Sequence, residues 1–173
     1  MPVDSGMAFV LVQHFEPQHW SMLVELLSSV TTMPVVEATD NVRVIADHVY
    51  VIPPNATLRI AEGSCGSRKP APAREHRRPV DSFFKSLAED QEENAVCVIL
   101  CGGGGDGTEG LLEFKERGGL TIAQAAFDEH AMSVMPTSAT ATGLVDYVLS
   151  IEEMPAKLVS YSKHLLSVAE VLP

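Results

Sequence analysis

Two side chains in this sequence, His14 and Asp106, are of types that move protons, and each follows an apolar run. His14 closes Val12-Gln13-His14, and Asp106 leaves a run of four glycines, Gly102 to Gly105, that follows Ala95–Leu100. An imidazole can act as general base, a carboxylate can fix its tautomer, and bare backbone N–H groups can hold a developing oxyanion. Together they are most of an acyl-transfer site. Each also has a plain structural reading. Asp106-Gly107-Thr108-Glu109 has capping-box spacing, with the aspartate as N-cap and a glutamate three residues on. His14 reads equally as a polar strand end bonded to a nearby carbonyl. Four glycines cost backbone entropy and return no packing, so a turn, a close neighbour or a ligand must require them.

Competing chemistries fit less well. A phosphate cradle would want a Lys-Ser or Lys-Thr after the glycines, and Asp106 would repel an anion. A metal site finds no Cys-x-x-Cys, and His14 and His19 lie five apart without a carboxylate partner. His48, His76, His130 and His164 have no recognisable partners. No metal and no cofactor are expected.

The elements that must position the pair follow from periodicity. Residues 7–13 form a near-continuous apolar run, as expected of a strand buried on both faces. Trp20, Leu23, Val24, Leu27 and Val30 recur at helical spacing, and Pro34 to Glu37 reads as a short strand. His48–Ile52 and Ala56–Ile60 read as a hairpin around Pro53-Pro54-Asn55. Residues 62–79, rich in Gly, Pro and Arg, read as a long surface loop. Val80, Phe83, Phe84 and Leu87 mark a helix, Ala95–Leu100 the most apolar strand, and Leu111, Leu112 and Lys115 a helix stopped at Gly118-Gly119. Strands at Leu120–Ala123 and Val145–Leu149 and a helix over Ala156–Leu166, with Pro155 in its first turn, complete the pattern. The alternation predicts an α/β fold: a largely parallel sheet with helices on both faces and a β-hairpin, forming one domain over residues 1–173. If the strands before His14 and Asp106 are parallel, both side chains project from the same sheet edge, where such folds gather their chemistry.

Composition bounds the partners. A formal net charge of −11 argues against nucleic acid, and the basic cluster Arg74-Glu75-His76-Arg77-Arg78 reads as a solvated loop. Three cysteines make no disulfide framework, so Cys97 and Cys101 read as buried, reduced thiols in a reducing compartment. No apolar run reaches membrane-spanning length and no signal pattern opens the chain, so a cytoplasmic protein without membrane insertion is expected.

Several segments resemble one family. Phe9-Val10-Leu11-Val12-Gln13-His14 resembles the strand that delivers the catalytic histidine in the CheB family, the chemotaxis receptor glutamate methylesterases. Gly102-Gly103-Gly104-Gly105-Asp106-Gly107 is similar to that family's Gly-x-Gly-x-Asp-Gly loop. His48-Val49-Tyr50-Val51-Ile52-Pro53-Pro54, Arg78-Pro79-Val80-Asp81, Met135-Pro136 and Ala141-Thr142-Gly143-Leu144-Val145-Asp146 also match, in the family's order. The variant most resembled is the methylesterase module fused to a receptor methyltransferase. The resemblance implies removal of methanol from methylated glutamates on the cytoplasmic helices of chemoreceptors, and in some members deamidation of glutamine. It assigns His14 as general base, Asp106 as its orienter, and the backbone at Gly103 and Gly104 as oxyanion support.

The sequence also departs from that pattern. Cys101, Gly103 and Val134 stand where the family usually has Ser or Thr, Met or Thr, and Gly. The family's nucleophile is a serine in a Gly-x-Ser-x-Gly-Gly turn after an initial strand well before the histidine, and this sequence opens 13 residues before His14. The expectation is therefore a fold without its first strand and a chain inactive by itself. Ser5 cannot substitute, because it precedes the strand and lies about 25–30 Å away at the opposite edge. Cys101 reads as an inert thiol. Ser133, Thr137 and Ser138 sit on a segment that could approach the site. The exposed sheet edge left by an absent strand predicts self-association. The alternative function is a non-catalytic receptor- or partner-binding module that keeps the fold; a phosphate-binding domain ranks below both.

Overall fold

The computed structural model describes residues 2–13, 22–54, 56–68, 78–125 and 133–169. Three short strands form a wholly parallel sheet: β1 (Phe9–Leu11), β2 (Val35–Glu37) and, after the two-residue β3 (Val42–Arg43), β4 (Val49–Val51). β4 is central, flanked by β1 and β2, with Phe9 and Val35 both opposite Val49. Helix α1 (Leu23–Val30) connects β1 to β2.

The hairpin is not where the sequence placed it. Residues 48–52 and 56–60 do not pair, because the first belongs to the parallel sheet as β4. The second, β5 (Thr57–Ala61), pairs antiparallel with β6 (Ser64–Arg68), and β6 pairs with β3. The two residues between them, Glu62 and Gly63, have φ of 51° and 68°. Positive φ at both positions suits the twist of a two-residue hairpin turn. The start of the expected long loop is therefore strand. Its alternation is hidden because Ser64 and Gly66 form one face and Ser67 shares the other with the fully buried Cys65, leaving one apolar residue to mark the strand.

Helix α2 (Pro79–Gln91) leads through a 3₁₀ turn at Glu92–Asn94 into β7 (Val96–Ile99). Helix α3 (Thr108–Glu116), β8 (Leu120–Gln124), α4 (Val134–Ala141), β9 (Tyr147–Leu149) and α5 (Met154–Ala169) follow. β7, β8 and β9 form a second parallel sheet in that order. The expected strand over Val145–Leu149 thus begins two residues later, and α4 went unread because its apolar positions lack a helical stripe.

One apolar cluster joins these layers. Tyr50 and Ile52, Leu58, Ile60 and Cys65, Val80, Phe83 and Phe84, Cys97 and Ile99, and Leu111 and Phe114 all belong to it, and Val10 and Val12 pack against it. Among the described residues β1 pairs on one side only, with β4, and β7 on one side only, with β8. Both parallel sheets therefore end in an open edge beside the same core. A single sheet containing both β1 and β7 is not formed by these strands.

The thiols are unequal. Cys65 and Cys97 are buried, whereas Cys101 is exposed because the strand ends two residues earlier, which corrects the reading of Cys101 as a core thiol. Burial, aided by the charge of Asp90, pushes the Cys65 thiol up to about 11. Burial pushes Cys97 well above the usual thiol range.

Asp146 ties α3 to the second sheet. Its carboxylate accepts from Lys115 Nζ at 2.8 and 2.9 Å and from both the N–H and the hydroxyl of Thr121 at 2.9 Å. Burial pushes its pKa up, but Lys115 and the Thr121 donors outweigh that and leave it below the ordinary carboxylate range. A depressed folded-state pKa contributes stability above the unfolded value, about 4, that is lost as pH falls through the folded one. Acid unfolding followed by circular dichroism should show Asp146→Asn shrinking the loss of stability below about pH 4. An unchanged acid limb would count against this network.

Candidate active site

The segment after β7 is built to bring backbone close to its neighbours. Gly102 bridges to Ser133 in parallel register, and its carbonyl accepts the Met135 N–H at 3.1 Å. A Cβ on Gly102 would lie 2.6 Å from Met135 Sδ, so a larger residue there would have to displace the Met135 side chain at the start of α4. Gly104 and Gly107 have φ of 96° and 97°, where other residues are strained. Gly103, Gly104 and Gly105 are exposed, leaving their backbone open to a ligand.

Asp106 itself is only 8% exposed. Its Oδ2 accepts the Val80 N–H and its Oδ1 the Asp81 N–H, each at 3.0 Å. The capping reading is therefore right in kind and wrong in helix. The N-cap of α3 is Gly107, and Asp106 caps the neighbouring helix, α2. Glu109, expected to fold back in a capping box, is instead ion-paired with Arg78. The cap completes the start of α2, since Pro79 has no N–H and the Ser82 N–H reaches the Arg78 carbonyl at 3.1 Å.

Asp81 was not singled out by sequence reasoning, although a proline followed two residues later by an acid is a helix-start pattern. It is 4% exposed, and its Oδ1 accepts the Gly110 N–H at 2.7 Å. Arg78 approaches its Oδ2 at 3.4 Å. Burial, then hydrogen bonding and charge from Asp106, raise the Asp81 pKa against the opposing Gly110 N–H and Arg78.

His14 lies outside the described residues, so its distance from Asp106 is not part of this geometry. What is described is the strand before it: Leu11 ends β1, and its carbonyl accepts the Ile52 N–H at 3.0 Å. Of the hydroxyls considered, Ser5 bonds Asp47 before β1, far from the strand ends in question. Ser133 was mentioned only as one of three nearby candidates, and its pairing with Gly102 sets it beside the glycine loop. Among the described residues no group of three or more His, Cys, Asp or Glu is arranged to hold a metal ion, and no helix is long and apolar enough to cross a membrane.

The fold that carries this arrangement is similar to a solved one. The crystal structure of the Thermotoga maritima CheB methylesterase catalytic domain superposes with a TM-score of 0.81 and 30% identity, over 92% of this chain and 86% of that one. The protein-glutamate methylesterase/protein-glutamine glutaminase of Paraburkholderia xenovorans is 35% identical over 167 residues, 92% of this chain and 45% of the relative. A Geobacter metallireducens protein of the same designation is 36% identical over 91% of this chain and 44% of its own length. The chain thus spans under half the length of these curated relatives. A 104.1 kDa uncharacterized protein of Rhodobacter capsulatus is 39% identical over 139 residues, 14% of its length. The CheB methylesterase family model matches residues 1–158, and on that match the chain belongs to the CheB methylesterase family.

Proposed function

We propose that this chain carries the base-and-orienter part of a protein-glutamate methylesterase, acting on methylated glutamates of chemoreceptor cytoplasmic helices and releasing methanol. The observation that carries the reading is Asp106, a buried carboxylate held against the start of α2 in the loop after a parallel strand, beside exposed glycine backbone, in a chain whose relatives bear that name. In this reading His14 is the general base and Asp106 holds its imidazole in one tautomer. The N–H groups of Gly103 and Gly104 support the oxyanion. No cofactor enters the reaction.

The nucleophile in this reading is a serine in a Gly-x-Ser-x-Gly-Gly segment outside these 173 residues. Among the described residues β1 and β7 each pair on one side only, which leaves backbone able to receive a further strand and supports this reading. The working protein is then a longer cytoplasmic one, in some contexts fused or adjacent to a receptor methyltransferase. The Rhodobacter relative, in which the matched segment is a small part of the whole, is consistent with such a setting.

The same edges carry a consequence for the chain alone. Unpaired backbone on an apolar edge should drive self-association, so sedimentation should give a mass that rises with concentration. A concentration-independent monomer would remove this expectation.

A second reading keeps the fold as a receptor-binding module without chemistry. Methanol release from methylated receptor helices, measured beside binding to the same helices, separates the two. Binding without release, even after a serine segment is supplied, would leave only the module.

A further inference from the structure

We propose that Asp81 is a positioning residue of this site, holding the loop of Asp106 against the start of α2 through an exchange of carboxylates between two helix N-termini. The proposal rests on the reading of Asp106 as the site's carboxylate and names a residue that this reading does not use.

The exchange is reciprocal. Asp106, one residue before the N-cap of α3, takes the Val80 and Asp81 N–H groups of α2. Asp81, on the first turn of α2, takes the Gly110 N–H on the first turn of α3 at 2.7 Å. Each carboxylate thus satisfies amides that its neighbour helix cannot satisfy internally. The helices are pressed together at this point. A Cβ on Gly110 would lie 2.8 Å from Phe84 Cβ and 3.1 Å from the Asp81 carbonyl oxygen, and one on Gly107 would lie 3.0 Å from Val80 Cγ1. With glycine at the N-cap, Gly107, α3 has no capping side chain of its own, and the acceptor for the Gly110 N–H comes from the opposite helix. Asp81 therefore fixes where α3 begins, and with it the one residue, Gly107, that separates α3 from Asp106.

Charge supports the same placement. Arg78, at the start of α2, pairs with Glu109 on α3, approaches Asp81 Oδ2 at 3.4 Å and lies close enough to Asp106 to feel its charge. Burial and the neighbouring Asp106 raise the Asp81 pKa, with the Gly110 N–H and Arg78 opposing them. Because the folded pKa of Asp81 lies above its unfolded value, bringing the two carboxylates together costs stability as pH rises through the folded pKa.

The test is nuclear magnetic resonance on the isotopically labelled 173-residue chain. Couplings across hydrogen bonds should connect the Gly110 amide to the Asp81 carboxyl carbon, and the Val80 and Asp81 amides to the Asp106 carboxyl carbon. Asp81→Ala should abolish the first and weaken the other two. Asp81→Asn, which keeps an oxygen acceptor, should restore them. The titration midpoint of the Asp81 carboxyl carbon should fall in Asp106→Asn. Couplings to Asp106 that are unchanged in Asp81→Ala, or an Asp81 midpoint indifferent to Asp106→Asn, would overturn the proposal. If Asp81→Ala does not fold, the Gly110 coupling decides: its absence in both the parent and Asp81→Asn would overturn the proposal. No turnover is measured, so failure here is distinct from failure of the esterase reading, which methanol release decides.

Discussion

Incubated with methylated receptor helices, the 173-residue chain should release methanol no faster than a protein without a nucleophile. In the proposed reading His14 accepts the proton and Asp106 orients it, and nothing in these 173 residues attacks the carbonyl. Serine hydrolases stripped of a triad member retain only about 10³–10⁴ over the uncatalysed rate, the remnant of oxyanion hole and binding. Supplying a Gly-x-Ser-x-Gly-Gly strand, by fusion or as a longer natural chain, should restore turnover. Asp106→Asn should then cost about 10⁴ in kcat, as expected when an orienting carboxylate is lost, and His14→Ala should be at least as severe. Full activity in the short chain would mean that the nucleophile has been misassigned. Ser133→Ala would be the first control, because Ser133 pairs with Gly102 beside the loop, and Cys101→Ala the second.

The second large effect falls on stability. Asp106→Ala should destabilise the fold by about 2–6 kcal/mol, because it leaves two buried amides without this acceptor and each costs about 1–3 kcal/mol. Asp106→Asn keeps one acceptor oxygen and should recover part of that loss. Urea unfolding of the two variants beside the parent measures both. Equal stability of Asp106→Ala and the parent would show that α2 does not depend on this cap. Comparing the two substitutions also separates the roles of Asp106, since Asn retains much of the cap while abolishing the charge that the esterase reading requires.

The strands that border the site were legible because they are written as short continuous apolar runs, as in Val96–Ile99 and Phe9–Leu11. The helices with an apolar stripe, α2 and α3, were legible for the same reason. What the periodicity could not specify was partnership. β4 and β5 follow one another around two prolines and look like a hairpin, yet their hydrogen bonds go to strands 40 residues upstream and 5 residues downstream, Phe9↔Val49 and Ile60↔Cys65. The site was legible as residue types and not as geometry. Asp106 announced itself by its glycines, but a capping box and a cap on a different helix have the same local sequence. Asp81 was harder still, since its function depends on Gly110, 29 residues away.

The three thiols, so unequal in burial, make the chain its own gauge of opening. A thiol reagent at mild pH meets Cys101 in the native state, whereas Cys65 and Cys97 become available only when the antiparallel hairpin or the second parallel sheet comes apart. Their raised pKa values suppress reaction further until that moment. The order in which mass increments accumulate under rising denaturant therefore reads out which layer yields first, residue by residue, with no label added.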